Sequence, residues 1–173
     1  MNKTMLSTIT PTTWEHHQAD LISIRTTVFI QEQHVSAADE WDGLDEEALH
    51  FLALAENGEA IGCARLLIEP APDTSEKKPL YHIGRVAILK DFRNQGVGHQ
   101  LMQSVLAYCK QTAPENCVYL HAQTERRHFY ETLGFIADGN EFMDAGIAHI
   151  SMHLNSCGDV ARDMQTTRHH EQC

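Results

Sequence analysis

The chain has 173 residues, 42% of them hydrophobic and 21% charged, which fits one folded globular domain. Its 24 acidic and 13 basic side chains give a formal net charge of −11. This charge disfavours general nucleic-acid binding, because an acidic surface repels phosphate. No apolar segment suits a signal peptide or a membrane span, so we expect a cytoplasmic protein with no membrane partner. Five cysteines without a Cys-x-x-Cys pair predict reduced thiols rather than a disulfide framework or a zinc ribbon.

The first third of the chain predicts a strand, a helix and an acidic loop. Residues 5–10 have the character of a strand. Thr12 and Glu15 have the spacing of a capping box, which predicts a helix start. Residues 31–47 are rich in acidic side chains and predict a loop with a short helical turn.

The middle of the chain alternates strands with one long helix. Residues 48–55 and 59–68 predict two strands joined at Asn57-Gly58, a strong hairpin signal. Residues 80–89 predict a further strand. Residues 96–111 keep apolar side chains at helical spacing and predict a helix.

The last third predicts a strand at 117–122, a helix that Thr124 caps and Gly134 ends, and a final hairpin. The order β-α-β-β-β-α-β-α-β-β predicts an α/β (α+β) fold of mixed strand direction. We therefore expect one domain over residues 1–154. The polar residues 155–173 carry no periodic pattern and predict a flexible tail.

Residues 86–98 form the most informative stretch. A strand ends, a short turn follows, and a helix opens on Gly96 and Gly98. The unpaired backbone N–H groups and the dipole of such a helix start suit a pyrophosphate, and Arg93 adds charge-assisted hydrogen bonds. This spacing is neither a P-loop nor a dinucleotide-binding fingerprint, and an ordinary glycine-capped helix start has the same appearance.

A second motif makes the pattern specific. Arg93-x-x-Gly96-x-Gly98 is followed by Phe129-Tyr130-x-x-Leu133-Gly134-Phe135. Together they resemble the GNAT acetyltransferase superfamily. Further stretches, residues 24–35, 82–87, 120–123 and 145–152, resemble its ElaA-like bacterial subgroup. The resemblance runs from about Thr8 to Leu154.

The resemblance implies a mostly antiparallel central sheet with a splayed parallel strand pair and flanking helices. It also implies acetyl-CoA as the acyl donor, with no metal. The implied donor-binding residues are Val86, Ala87, Ile88, Arg93, Asn94, Gln95, Gly96, Val97, Gly98, Gln123 and Tyr130. Asn94 stands where many members have glycine, and Gln123 where many have asparagine.

The resemblance implies two catalytic residues for transfer to an amine. Tyr130 matches the tyrosine that donates a proton to the departing sulfur. His82 lies on the strand before the turn, where some members carry a glutamate base, and strand alternation places it on the face of Gly84, Val86 and Ile88. Two alternatives stay open: His82 is a structural histidine, or water relays the proton to Glu32 or another carboxylate.

The acceptor side is assigned by the same resemblance. The implied substrate-binding residues are Arg25, Glu32, His50, His121 and His149. Arg85 either anchors an acceptor carboxylate or pairs with an acidic neighbour. The edges of the final hairpin also allow a homodimer.

The leading hypothesis is an acetyl-CoA-dependent N-acetyltransferase acting on a small-molecule or peptide amine. One alternative is a non-catalytic acyl-CoA-binding module. A second is a histidine-rich metal-binding protein, but His149 and His153 are four residues apart on a strand, about 13 Å, too far for one ion.

Overall fold

The computed structural model describes residues 7–70, 78–154 and 157. Its strands are β1 Thr8–Thr12, β2 Leu49–Leu54, β3 Ala60–Glu69, β4 Leu80–Ile88, β5 Cys117–Gln123, β6 Phe135–Asp144 and β7 Ile147–Leu154. Its α-helices are α1 Trp14–Arg25, α2 Ala37–Glu40, α3 Val97–Thr112 and α4 Arg127–Glu131. A π-helical stretch, Thr26–Glu32, follows α1, and 3₁₀ turns at Lys90–Phe92 and Thr124–Arg126 precede α3 and α4.

The strands hydrogen-bond in the order β1-β2-β3-β4-β5-β7-β6. The sheet is mostly antiparallel, with β4 and β5 as its parallel pair. The predicted fold class and element order are therefore confirmed. Within the described ranges, no helix is both long and apolar enough to cross a membrane.

The chain groups into two compact units. The first consists of Met1–Leu67 and Ile83–Tyr108. In it β2 pairs antiparallel with both β1 and β3, and the turn between β2 and β3 contains Gly58 at φ 84°. Its core holds fully buried side chains from α1, β2 and α3, among them Leu21, Phe51 and Leu101.

The second unit consists of Ile68–His82 and Cys109–Cys173. Here β7 pairs antiparallel with both β5 and β6. Ala145 and Gly146 both have positive φ, which lets the chain turn tightly between β6 and β7. The predicted final hairpin is therefore present, with a longer first strand than the sequence suggested.

Two cap predictions are wrong. Helix α1 begins at Trp14 after Thr13, and Thr13 makes no side-chain cap hydrogen bond, so the box of Thr12 and Glu15 does not form. Thr124 lies inside the 3₁₀ turn before α4, and its buried Oγ1 has no hydrogen-bond partner among the described residues. Gly134 does follow α4 with φ 93°, as predicted.

The prediction of reduced cysteines is wrong for one pair. Cys117 and Cys157 form a disulfide with Cα atoms 4.5 Å apart. The antiparallel register that sets Tyr119 opposite His153 brings the start of β5 beside the end of β7. That proximity spans 40 residues of sequence and depends on strand pairing, so spacing alone did not reveal it.

The other described cysteines, Cys63 and Cys109, are buried free thiols, and burial raises the pKa of each to about 12. Apart from Cys157, the predicted tail at 155–173 lies outside the described residues.

Candidate functional site

The turn before α3 has a backbone that glycine-rich anion sites share. Asn94 and Gly96 both lie in the left-handed region, at φ 59° and 84°. Asparagine is one of the few side chains that tolerate this conformation, so its departure from glycine leaves the turn intact. Left-handed residues are typical of turns whose backbone N–H groups bind anions, and α3 begins directly after this one, at Val97.

The Arg93 guanidinium is hydrogen-bonded both to the end of β4 and to the π-helical stretch that follows α1. Its Nε donates to the Ile88 carbonyl at 2.8 Å, at the end of β4. Its two terminal nitrogens form a forked pair with the Glu32 carboxylate, at 2.5 and 2.8 Å. The guanidinium is thus held at the turn with its charge matched by Glu32. The structure brings together these two residues, which the sequence assigned to donor and acceptor binding.

Strand β4 changes conformation at Arg85. The backbone φ of Arg85 is 51°, in the left-handed region that breaks the alternation of a regular strand. The argument that His82 shares a face with Val86 and Ile88 therefore does not apply beyond Gly84. Arg85 pairs with Glu40 at 3.2 Å and Asp42 at 3.3 Å, which confirms the interpretation that it pairs with acidic neighbours.

Arg25 and His50 lie in a buried ion network of the first unit. The Arg25 side chain is fully buried; its Nε donates to Glu40 at 2.5 Å and its Nη1 to Asp45 at 2.6 Å. Its guanidinium also lies 4.6 Å from the ring centroid of Trp41. His50 is 1% exposed, with Nε2 at 2.9 Å from the Asp45 carbonyl. A substrate reaches neither side chain in this conformation, and their assignment to acceptor binding stays a prediction.

Burial and ion pairing shift the pKa values of the carboxyl groups in this network in opposite directions. Burial raises the pKa of Glu40, with Arg85 as the main opposing influence. Burial also acts to raise the pKa of Asp45, but hydrogen bonds from Arg25 and Arg65 outweigh it, so that pKa is lowered. Burial lowers the pKa of His50, which favours its neutral form. These groups satisfy one another and stabilise the first unit rather than offer a reactive atom.

The second unit contains a histidine cluster made of His82, Tyr119, His121, Phe142 and His149. The ring centroid of His82 lies 4.4 Å from that of Tyr119 and 5.0 Å from that of His121. His121 meets Phe142 edge-on at 5.3 Å, and Phe142 stacks on His149 at 5.9 Å. Three histidines that the sequence assigned to catalysis or acceptor binding are thus joined through one set of ring contacts.

Glu69 completes this cluster, and the sequence argument missed it. Its Oε1 lies 2.7 Å from His82 Nδ1, and its Oε2 accepts a hydrogen bond from the Tyr119 hydroxyl. Tyr119 and Phe142 were also missed. A usable signal existed: Tyr119 and His121 alternate on β5, the parallel neighbour of the strand that carries His82.

Tyr130 lies in α4 of the second unit. It is 9% exposed and packs edge-on against Phe129 and Phe135. Burial raises its pKa to about 12, so its hydroxyl keeps its proton and remains a hydrogen-bond donor. Gln123 ends β5 opposite His149 in the pairing with β7.

No group of three or more histidine, cysteine, aspartate or glutamate side chains suited to a metal ion occurs in the part of the chain that the structure describes.

Comparisons with known proteins agree with one another over most of the chain. A family model described as "Acetyltransferase (GNAT) domain" matches residues 15–156. The "Uncharacterized protein YyaT" of Bacillus subtilis is 36% identical over 141 residues, covering 78% of this chain and 88% of that protein. The protein ElaA of Escherichia coli is 34% identical over 133 residues, covering 76% and 83% of the two chains.

Solved structures extend the likeness to the fold. The crystal structure of E. coli ElaA has a TM-score of 0.74 at 29% identity and covers 87% of this chain and all (100%) of that one. An acyl-CoA N-acyltransferase from Pseudomonas aeruginosa has a TM-score of 0.73 at 30% identity, with coverages of 86% and 99%.

Proposed function

The chain belongs to the acetyltransferase (GNAT) family, and from that premise we propose that it transfers an acetyl group from acetyl-CoA directly to an amine of a small molecule or peptide. The observation that carries the proposal is the turn at residues 93–98. Two left-handed residues occur there, a 16-residue helix begins, and an anchored arginine lies beside them. This donor set is suited to a pyrophosphate, because it combines amides, a helix dipole and one guanidinium.

The resemblance supports a further assignment on the donor side. Backbone groups of Val86, Ala87 and Ile88 would pair with the pantetheine arm, and an amide near Ile88 would polarise the thioester carbonyl. In the turn, residues 93–98 would hold the pyrophosphate. Gln123 and Tyr130 complete the proposed donor set.

The transfer forms one bond and breaks another. The amine nitrogen bonds to the acyl carbon as the carbon–sulfur bond breaks. The amine loses one proton, which His82 accepts, and the departing thiolate gains one from Tyr130. No metal or redox partner is needed to balance this reaction.

The histidine cluster gives the best-supported acceptor side. His121 and His149 are half-buried and belong to the same ring contacts as His82. Glu32 stays a candidate through its position at Arg93. The net charge of −11 favours a cationic amine over an anionic acceptor. A cytoplasmic location and a homodimer remain predictions.

Calorimetric titration with acetyl-CoA tests the donor site. We expect micromolar binding by the wild type and loss of binding in Gly98→Glu, whose carboxylate would meet the pyrophosphate. Gly98→Gln is the matched control, because it adds the same bulk without charge and should bind better than Gly98→Glu. Circular dichroism establishes that each variant is folded. Absence of binding by the folded wild type would remove the donor and the acetyltransferase proposal with it.

Thiol release against a panel of amines separates an enzyme from a binding module. We expect turnover by the wild type and a large loss of kcat in Tyr130→Phe, which should still bind acetyl-CoA. Equal and negligible turnover in both proteins, with intact binding, would instead indicate a non-catalytic acyl-CoA-binding module.

A further inference from the structure

We propose that Glu69 is a positioning residue that fixes the tautomer and the ring orientation of His82, and that Tyr119 in turn holds the Glu69 carboxylate. The inference rests on the proposed function, in which His82 accepts the proton of the amine. It adds two residues that neither sequence motif contains. Glu69 ends β3, and Tyr119 lies in the middle of β5.

The hydrogen bonds of Glu69 decide which nitrogen of His82 is available. A carboxylate only accepts, so the 2.7 Å contact between Glu69 Oε1 and His82 Nδ1 places the proton on Nδ1. A neutral imidazole then carries its lone pair on Nε2. Nε2 is therefore the atom that can take a proton from an amine.

Tyr119 restrains both members of this pair. Its hydroxyl donates to the second carboxylate oxygen, so Glu69 cannot rotate freely away from His82. Its ring stacks on the His82 imidazole with an angle of 16° between the planes. One tyrosine thus fixes the carboxylate by its hydroxyl and the imidazole by its face.

Exposure separates this arrangement from a purely structural ion pair. The side chains of His82 and Glu69 are 21% and 33% exposed, so the pair is open to solvent. When Nε2 takes the proton, the imidazolium charge is offset by the adjacent carboxylate. The proton stays on the imidazole, and Glu69 remains ionised, as in other carboxylate–histidine pairs.

The tautomer of His82 is the direct test. Long-range ¹H–¹⁵N spectra report which imidazole nitrogen is protonated, and the His82 signals are assigned by their loss in His82→Gln. We expect the Nδ1–H form in the wild type and a shift towards Nε2–H in Glu69→Ala. Glu56→Ala, at an exposed position in the turn after β2, is the matched control and should leave the spectrum unchanged. An Nε2–H form in the wild type would overturn the proposal.

Kinetics give the second test. Glu69→Gln keeps the shape and the contact with Tyr119 but removes the charge, so we expect kcat to fall roughly 10- to 100-fold with KM for acetyl-CoA unchanged. Glu69→Asp should recover part of this loss. In the background of His82→Gln, the change at Glu69 should cost nothing further, because a positioning residue acts only through its partner. Full additivity of the two losses would contradict that role.

The transfer function and the positioning role of Glu69 can be disproved separately. If the wild type binds acetyl-CoA but acylates no amine, the transfer function fails. The tautomer spectra then still decide whether Glu69 sets the state of His82. If amines are acylated but Glu69→Gln keeps the wild-type kcat, only the positioning role fails.

Discussion

The two units use the same chemical pair, a carboxylate and a cationic or ionisable nitrogen side chain, for different purposes. In the first unit, Arg25 is fully buried and bonded to Glu40 and Asp45. In the second, Glu69 is one-third exposed and engages only one nitrogen of His82. Removing one partner from a buried ion network leaves a buried charge unpaired, so these groups are fixed in their charge states, whereas a partly exposed carboxylate–histidine pair can exchange a proton.

The largest expected effect comes from breaking the buried network. Asp45 is 6% exposed and accepts from Arg25 and Arg65. Asp45→Asn leaves buried guanidinium charge without its partner, and we expect the free energy of unfolding to fall by about 3–5 kcal/mol. Urea denaturation at neutral pH measures this loss. The control is Glu131→Gln, which breaks an exposed pair with Arg127 and should leave the midpoint unchanged. A loss no larger than the control's would show that the network is not stabilising.

In the second unit, we expect a substitution at His82 to reduce activity with little effect on stability. We expect His82→Gln to lower kcat by roughly 10²- to 10³-fold, because general-base assistance is lost, and to leave the unfolding midpoint nearly unchanged. Thiol release with the best amine of the panel measures the rate. His153→Gln, another half-buried histidine of the same unit, is the control and should keep its activity. Wild-type turnover in His82→Gln would leave water relay to a carboxylate as the better explanation.

Acid pH should weaken the first unit through Asp42. Burial acts to raise the pKa of Asp42, but hydrogen bonds from Arg65 outweigh it and bring that pKa to about 2. Because the folded-state pKa lies below the unfolded one, the stabilisation is present at neutral pH and is lost as pH falls from about 4 towards 2. Asp42 is an exposed residue, so solvent screening reduces its contribution, and we expect the loss from this group to be about 1 kcal/mol.

Unfolding free energies measured across this pH range check the effect. Asp42→Asn should be less stable than the wild type at neutral pH, with a flatter acid limb. The control Asp144→Asn replaces an exposed aspartate of β6 and should keep the wild-type pH dependence. If the free energies of unfolding of wild type and Asp42→Asn fell in parallel as pH is lowered, Asp42 would not be the group responsible.

The smallest expected effect lies at the donor turn. Glu32 occupies the guanidinium of Arg93 with a forked pair, so a pyrophosphate must compete with it. We expect Glu32→Gln to bind acetyl-CoA about two- to five-fold more tightly, since a half-exposed ion pair contributes little. Glu46→Gln changes the net charge equally at an exposed site and controls for long-range electrostatics. Weaker binding by Glu32→Gln would mean that Glu32 holds Arg93 in its binding orientation.

The sequence predicted what depends on local pattern. Strand alternation, helical spacing and the Asn57-Gly58 turn gave the element order, and the two motifs gave the family. Local sequence patterns mispredicted the conformation where they compete with tertiary packing. Arg85 adopts a left-handed conformation inside β4, so alternation does not continue through that strand. Thr12 and Glu15 have capping-box spacing, yet the helix begins at Trp14 without that cap.

Sequence patterns also named only some residues of the candidate site, because the others depend on tertiary packing. His82, His121 and His149 were named from the resemblance, and ring contacts now connect them. Glu69 was missed because its role depends on a contact with His82, which lies 13 residues away on another strand. Arg25 and His50 were assigned to the acceptor from the resemblance, and the sequence did not reveal that both side chains are buried.

The disulfide between Cys117 and Cys157 encloses most of the second unit's candidate residues in one covalent loop. His121, Tyr130, Phe142 and His149 all lie between the two sulfurs in sequence. Because the bond restricts the unfolded chain, its reduction is expected to lower the free energy of unfolding by about 3–4 kcal/mol for a loop of 40 residues. The redox potential of the surroundings is thereby coupled to the stability of the fold that carries the proposed proton donor and the acceptor-side rings.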